Sequence, residues 1–144
     1  MEIAVIGCRA HMLCKACGLV ASTFSSCAAA AQRRWDLLAL LPDAQLPLPE
    51  KLHAGTLILP GSSNVTLLHN TQASQIVGYG FSPRDTLTLS SLTGHEHLIC
   101  LQRSILTLTG RLIEPQELPL PLPLSFLSAD DALPLAGVWL LADL

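Results

Sequence analysis

The chain has 144 residues, a length that predicts a single domain spanning residues 1–144. Half of the residues are hydrophobic, 13% are charged, and the formal net charge is −3. This balance, with no basic run and only 4% aromatic residues, excludes a nucleic-acid-binding surface. So few charges leave apolar surface exposed, and a protein partner or self-association is the usual reason for such a surface.

The N-terminal half of the chain predicts parallel βαβ units. Residues 2–7 (EIAVIG) form an apolar run closed by glycine, which predicts a buried strand. Residues 9–34 are rich in alanine, leucine and cysteine and end in cations, which predicts a long helix. Residues 35–41 predict a second buried strand or, alternatively, a continuation of that helix. Residues 42–50 hold three prolines and predict a loop.

Two further apolar runs continue the same alternation. Residues 56–59 and 75–79 each predict a short strand. Between them, residues 64–69 predict a short helix that begins at Ser62 or Ser63 as its cap. Strands and helices at these intervals are typical of βαβ units with right-handed crossovers.

After Gly80 the pattern changes to the alternation of antiparallel strands. Turn residues at Thr93-Gly94 and at Gly110 predict two hairpins. The predicted strands of these hairpins are residues 85–91, 97–103, 105–109 and 112–117.

The C-terminal part predicts a connector followed by a helix. Residues 118–124 alternate leucine and proline, which predicts an edge strand or a polyproline-like connector, because proline donates no ladder hydrogen bond. Residues 128–131 predict a helix N-terminus with acidic residues in its first turn, leading into an apolar helix up to Leu144. The predicted fold class is therefore α/β: a short parallel sheet with βαβ units in the N-terminal half, extended by antiparallel strands and closed by a C-terminal helix.

One segment resembles a known family. Residues 78–82 (GYGFS) with Asp85, the run 54–62 (AGTLILPGS) and the run 120–123 (LPLP) resemble the later half of the central domain of Mur ligases. Those ATP-dependent enzymes join amino acids to peptidoglycan precursors. The opening residues 2–8 (EIAVIGC) are similar to the strand that leads into the family's phosphate-binding loop. The resemblance implies a Mur ligase-like, bacterial-type α/β domain.

The chain departs from that family at the phosphate loop. A loop that cradles phosphates needs glycines, a lysine for the β- and γ-phosphates, and a serine or threonine for magnesium. After Gly7 the sequence runs CRAHMLC without another glycine, and Lys15 is followed by Ala16 rather than by a hydroxyl residue. This degenerate loop predicts no ATP-driven ligation and no cofactor, and hence a non-catalytic binding or assembly module. The alternative is a nucleotide-binding or ligase-type enzyme with a divergent phosphate loop.

The polar turn 82–85 (SPRD) gives the candidate ligand site. It directly follows the strand 75–79, and ligands of open α/β sheets bind at the carboxyl ends of the strands. The candidate ligand-binding residues are Tyr79, Ser82, Arg84 and Asp85. Arg84 has the geometry to hold a carboxylate or phosphate, or alternatively it stabilises the turn beside Asp85.

Cysteines and histidines give a second candidate. Cys14 and Cys17 form a C-x-x-C pair, which is compatible with a metal or redox site. On a helix they share one face, where buried cysteine commonly serves as a small apolar filler, and that is the competing interpretation. His95 and His97 offer either a two-ligand metal pair or a solvated hairpin tip.

The five cysteines form no spacing typical of a secreted scaffold, so we expect a cytoplasmic protein with reduced thiols. The alternative is an exported protein, if residues 1–31 are a signal peptide. We expect no membrane span, because serines, threonines and arginines interrupt the apolar stretch after Gly18 well short of ~20 residues.

Overall fold

The computed structural model describes residues 1–31, 33–44, 51–62, 71–91, 97–125 and 127–143. The strands are β1 (Ile3–Ile6), β2 (Ser22–Phe24), β3 (Arg34–Leu40), β4 (Leu52–Pro60), β5 (Thr71–Tyr79), β6 (Leu87–Ser91), β7 (His97–Leu101), β8 (Ile105–Leu106), β9 (Leu112–Ile113) and β10 (Gln116–Pro119). The helices are α1 (Ala10–Cys17), α2 (Cys27–Ala30) and α3 (Ala129–Leu141), with a 3₁₀ helix at Leu122–Leu124. In these parts of the chain, no helix is long and apolar enough to cross a membrane.

The strands form an eight-stranded sheet in the order β2-β1-β3-β4-β5-β6-β7-β10. Neighbours from β2 to β6 are parallel, whereas the pairs β6–β7 and β7–β10 are antiparallel. The remaining strands, β8 and β9, pair with each other in a small antiparallel sheet. The predicted α/β class, with a parallel sheet extended by antiparallel strands and a C-terminal helix, is confirmed.

The prediction of one long helix over residues 9–34 is wrong. The first helix, α1, ends at Cys17 because Gly18 adopts a left-handed conformation (φ 72°) and its N–H bonds back to the Lys15 carbonyl at 3.3 Å. The serine and threonine that follow then enter β2, which pairs with β1 at the edge of the sheet. A second, short helix, α2, completes this stretch.

The second apolar run is the strand β3, so its alternative assignment as a helix continuation is wrong. The strands β4 and β5 are confirmed, but both begin earlier than predicted, at Leu52 and Thr71. The predicted helix over residues 64–69, the turn at Thr93-Gly94 and most of the predicted loop 42–50 lie outside the described residues.

The C-terminal predictions are largely confirmed. The hairpin around Gly110 forms as β8 and β9, although its paired region is short. The side-chain amide of Gln75 fastens it to the large sheet, since Nε2 donates to the Leu106 carbonyl and Oε1 accepts from the Leu106 N–H, both at 2.9 Å. The leucine–proline run begins at the end of β10, an edge strand, and continues into the 3₁₀ helix.

The helices lie on both faces of the sheet. Side chains of α1 and α3 pack into the core on one face, together with Val5, Leu37 and Val77. The helix α2 packs into the core on the other face, around Trp35. The chain therefore leaves β1 towards β2 over one face and returns to β3 over the other. The carboxyl ends of β1 and β3 consequently flank a topological switch point, where a crevice forms in open α/β sheets.

Candidate functional site

A cleft of about 540 Å³ opens at the carboxyl ends of β3, β4 and β5, beside the N-terminus of α3. Its lining includes the predicted ligand residues Tyr79, Ser82 and Asp85, but not Arg84. The other lining residues are Pro42, Pro60, Gly61, Ser62, Gly80, Phe81 and Asp130. The sequence therefore predicted the position of the cleft, whereas the wall contributed by α3 comes from a distant part of the chain.

Tyr79 ties two strands together at the base of the cleft. Its hydroxyl donates a hydrogen bond to the Leu40 carbonyl at 2.7 Å, and the side chain is buried. Burial raises the pKa of the Tyr79 phenol far above its usual value, and the negative charges of Asp130, Asp131 and Asp43 raise it further. The phenol therefore stays protonated, and its hydrogen bond links the end of β5 to the end of β3 across the intervening β4.

Asp85 closes the polar turn after β5. Its Oδ2 accepts from the Ser82 N–H at 3.0 Å, and its own N–H donates to the Ser82 carbonyl at 3.0 Å. The side-chain amide of Gln102 donates to the Asp85 carbonyl at 2.6 Å and to the Ser82 carbonyl at 3.2 Å. The turn is thus fixed from both sides, and Gln102, on the chain after β7, is a site residue that the sequence did not single out for this role.

Gly61 makes room for the Asp85 carboxylate. A Cβ atom at position 61 would overlap Asp85 Oδ1, so only glycine fits at the end of β4 with the carboxylate in this position. Asp85 is only 6% exposed. The carboxylate therefore packs against backbone as part of the cleft wall.

Arg84 is exposed and is not among the described residues that line the cleft. Its backbone N–H donates to Ser82 Oγ at 3.2 Å, and its carbonyl accepts from the guanidinium of Arg103. Arg84 therefore supports the turn through its main chain, and a ligand-binding role for its side chain stays a prediction.

Next to the cleft, Asp43, which follows β3 in the chain, directs its carboxylate to the loop after β1. Its Oδ2 accepts from the backbone N–H and from Nε of Arg9, each at 3.2 Å. Its Oδ1 is buried against Gly7, where a Cβ atom would overlap it, and has no hydrogen-bond partner among the described residues. The N–H of Ala10 donates to the Gly7 carbonyl at 3.2 Å. The protein's own carboxylate thus occupies the helix N-terminus where a phosphate binds in loops of this kind.

The guanidinium of Arg9 is bound on its other side to α3. Nη1 and Nη2 donate to the two carboxylate oxygens of Asp131, both at 2.9 Å, and Ser128 Oγ donates to Asp131 Oδ2 at 3.2 Å. The side chain of Asp131 is only 5% exposed, whereas that of Arg9 is 48% exposed. The hydrogen bond to Asp43 and the charge of Asp131 raise the pKa of Arg9 above its ordinary value. Arg9 therefore joins the loops after β1 and β3 to the start of α3.

Four carboxylates lie at the carboxyl edge of the sheet. Its carboxylates belong to Asp43, Asp85, Asp130 and Asp131. The guanidinium of Arg9 is already shared between Asp43 and Asp131. Lys15 lies in the last turn of α1, at the opposite end of that helix from the loop. Arg84 and Arg103 also lie at this edge, but the described lining of the cleft itself holds two carboxylates, of Asp85 and Asp130, and no cation, which disfavours an anionic ligand there.

The candidate pair Cys14 and Cys17 lies together on α1, apart from the other cysteines. Cys14 and Cys17 are buried under α1, Cys27 is buried on the opposite face of the sheet, and Cys8 is exposed. Burial raises the pKa of the Cys14 thiol to about 11 and also raises that of Cys17, which disfavours the thiolate that binds metals. Within the described ranges, no three metal-ligating side chains are grouped to hold an ion. The metal or redox role of Cys14 and Cys17 stays a prediction, and His95 lies outside those ranges.

No protein-family model, curated protein sequence or solved structure matches the chain. The resemblance to Mur ligases therefore stays a prediction, and the chemistry of the site rests on the contacts described above.

Proposed function

We propose that the chain is a non-catalytic binding or assembly module derived from a Mur ligase-like central domain, with a degenerate phosphate loop. The observation that carries this proposal is the Asp43 carboxylate, which accepts the Arg9 N–H at the start of α1. A triphosphate would need that N–H group and the guanidinium of Arg9, and both are already engaged within the chain.

Electrostatics weigh against a nucleotide at this position. Two like charges about 4 Å apart near a protein surface repel by roughly 4 kcal/mol. A micromolar complex has a binding free energy of only about 8 kcal/mol. Repulsion from the Asp43 carboxylate alone, at about 4 Å, would therefore offset about half of that binding free energy. The Arg9 guanidinium, which would attract a phosphate, is already paired with Asp43 and Asp131.

The cleft is suited instead to a neutral or cationic ligand. Its volume of about 540 Å³ lies within the ~300–1,000 Å³ of small-molecule sites. Carboxylates of Asp85 and Asp130 line it, and the ring of Phe81, which is 64% exposed, offers an aromatic face at its rim. An amine that carries an apolar group would pair its charge with these carboxylates and place its apolar part against Phe81.

Calorimetry with ATP and magnesium tests the missing nucleotide site. We expect no saturable heat with the wild-type chain up to about 1 mM ATP, where the binding free energy is only about 4 kcal/mol. A low-micromolar dissociation constant would overturn the proposal and favour the alternative, a nucleotide-binding or ligase-type enzyme with a divergent loop.

A pair of matched probes tests the preference of the cleft. Benzylamine and benzoate share a ring and differ in the sign of their charge. In ¹H–¹⁵N spectra we expect benzylamine to shift the amides of Phe81 and Ser82, while benzoate leaves them unchanged. A stronger response to benzoate would contradict the assignment of this cleft to cationic ligands.

The assembly half of the proposal is supported by exposed apolar residues. Leu106 and Leu112 face each other across the β8–β9 hairpin and are 50% and 60% exposed. An exposed apolar pair in a protein with so few charged residues favours contact with a protein partner or with a second copy of the chain. Sedimentation of the wild type and of a Leu106→Ser, Leu112→Ser double variant measures self-association. We expect the dissociation constant of any dimer to be higher in the variant.

The same proposal places the module in the cytoplasm. Residues 3–30 supply β1, α1, β2 and α2, and β1 lies inside the sheet between β2 and β3. Cleavage after residue 31 would therefore remove part of the core. All five cysteines are free, which also supports a reducing compartment over export.

A further inference from the structure

A second pocket lies at the opposite edge of the sheet, at the amino ends of β3, β4 and β5. Its volume is about 280 Å³. It is lined by Arg34, His53, Ala54, Gln72, Ala73 and Ser74. The polar side chains alternate along β4 and β5 with Ala54 and Ala73, which pack into the core around Trp35 on the other face of the sheet.

The strand register brings the polar side chains into a row. Arg34 pairs directly with His53 across β3 and β4, and His53 pairs directly with Gln72 across β4 and β5. Residues paired in this way project from the same face of a sheet, with strands about 4.8 Å apart. A cation, an imidazole and an amide therefore lie side by side over about 10 Å.

These side chains carry hydrogen-bond donors that the fold does not use. The guanidinium has five N–H donors, the amide two and the serine hydroxyl one. Among the described residues, the side chains of Arg34, Gln72 and Ser74 make no hydrogen bond or ion pair. The neighbouring Arg33 differs, since it pairs with Glu2 and its guanidinium carbon lies 4.1 Å from the ring centroid of Trp35.

The surrounding charges favour an anion at this edge. Lys51 is exposed directly before β4. Two acids described at this edge are engaged, because Asp36 Oδ2 accepts the Glu2 N–H at 2.7 Å and the Glu2 carboxylate pairs with Arg33. The cation of Arg34 is therefore not neutralised by a described partner.

We propose that Arg34, His53, Gln72 and Ser74 form a binding site for a small oxyanion, a carboxylate or a phosphate. A guanidinium binds either group through two parallel N–H donors, and the amide and hydroxyl supply further donors. The pocket is slightly smaller than the ~300–1,000 Å³ of drug-sized sites, so the ligand is a small molecule or a single anionic group. This site is independent of the carboxyl-edge cleft and of the function proposed for it.

Spectroscopic titration with inorganic phosphate and with acetate tests the site and separates the two sources of oxyanion. We expect saturable shifts of the Gln72 side-chain amide and the Ser74 backbone amide with at least one of these probes. Arg34→Gln should weaken this binding at least about tenfold, the loss that accompanies removal of a charge-assisted pair. Lys51→Gln is the matched control, because it removes the same charge at the same edge but outside the pocket. It should change the affinity less than about twofold, as expected for an exposed charge.

Each other outcome would overturn the assignment. The absence of saturable shifts at Gln72 and Ser74 with both anions excludes an oxyanion site. An equal loss in Arg34→Gln and Lys51→Gln shows a diffuse charge effect rather than a pocket. If Arg34→Gln abolishes a sedimenting dimer while neither anion binds, the row belongs to contact with an acidic surface of a second copy. Shifts confined to the amides of residues 7–10 would refute this site. They would also contradict the view that Asp43 occupies the anion position in the loop after β1.

Discussion

The two edges of the parallel sheet use their polar side chains in opposite ways. At the carboxyl edge, Asp43 and Asp131 share the guanidinium of Arg9, and Asp85 is held within its own turn. At the amino edge of the same strands, Arg34 and Gln72 line a pocket without partners among the described residues. Ligands of open α/β sheets usually bind at the carboxyl edge. Here the Arg9 donors that would bind an anion at that edge are engaged within the chain. We therefore expect an anion at the amino edge, where the donors of Arg34 and Gln72 have no partner among the described residues.

The largest expected loss of stability comes from removing the contact between Arg9 and α3 at the carboxyl edge. Asp131→Ala removes both hydrogen bonds to the Arg9 guanidinium and the one from Ser128, and should lower the free energy of unfolding by about 2–3 kcal/mol. Urea unfolding at pH 7 measures this change in the free energy of unfolding. Asp130→Ala is the matched control, because it removes the same charge from the neighbouring exposed position and should cost no more than about 0.5 kcal/mol. Equal losses in the two variants would show that the contact with Arg9 does not hold this edge together.

A smaller loss should follow from crowding the wall of the cleft. In Gly61→Ala the new methyl group overlaps Asp85 Oδ1, which should cost about 1–2 kcal/mol of unfolding free energy. Gly78→Ala is the control, since its nearest neighbour, Asp85 Oδ1, would lie at an ordinary 3.7 Å. Denaturation curves of the two variants and of each combined with Asp85→Ala give the coupling energies. A coupling of zero between positions 61 and 85 would be inconsistent with the packed carboxylate.

Removal of the Asp43 carboxylate should allow the carboxyl edge to bind an anion, as we propose for the amino edge. Asp43→Ala frees the Arg9 N–H and one side of its guanidinium, so pyrophosphate should bind there at least about tenfold more tightly than to the wild type. Calorimetry gives the affinity, and the amide shifts of Arg9 and Ala10 give the location. Asp36→Ala removes an equal charge from the amino edge and should leave these amides unaffected. Identical pyrophosphate binding by Asp43→Ala and the wild type would refute the view that Asp43 blocks this site.

The smallest effect concerns the other end of α3, which Asp143 fastens to the hairpin through Thr109 and Arg111. The hydrogen bonds from Thr109 and then from Arg111 lower the pKa of Asp143 to about 2. A lowered pKa stabilises the fold above the unfolded value, near 3.9, and this contribution is lost as the pH falls through about 2. Asp143→Asn should therefore have a lower melting temperature than the wild type at pH 6, with a difference that shrinks between about pH 4 and pH 2. A difference independent of pH would show that the charge of Asp143 plays no part.

The sequence predicted those elements whose local pattern matches their environment. The strands β1 and β3 are continuous apolar runs because both of their faces are buried. The strand β2 was missed because Ser22 and Thr23 lie at the sheet edge, where no apolar run is required. The amino halves of β4 and β5 were missed for a related reason, since His53 and Gln72 are not fully buried. Their strand geometry comes from pairing, of β4 with β3 and of β5 with β4.

The sequence indicated only those residues of the candidate site that lie close together in the chain. Tyr79, Ser82 and Asp85 were found because a polar turn directly follows a buried strand. Arg9 meets Asp43 and Asp131 from 34 and 122 residues away, and no spacing rule connects positions so far apart. The unusual loop after β1 showed that a phosphate cradle was missing, but only the folded chain shows that a carboxylate has taken its place.

A crystal structure determined with ATP and magnesium at millimolar concentration tests the central claim most directly. We predict that Asp43 Oδ2 stays within hydrogen-bonding distance of the Arg9 N–H, close to its present 3.2 Å, with no phosphate beside it. A phosphoryl group bound to the N–H groups of Arg9 and Ala10, with the Asp43 side chain displaced, would contradict the account.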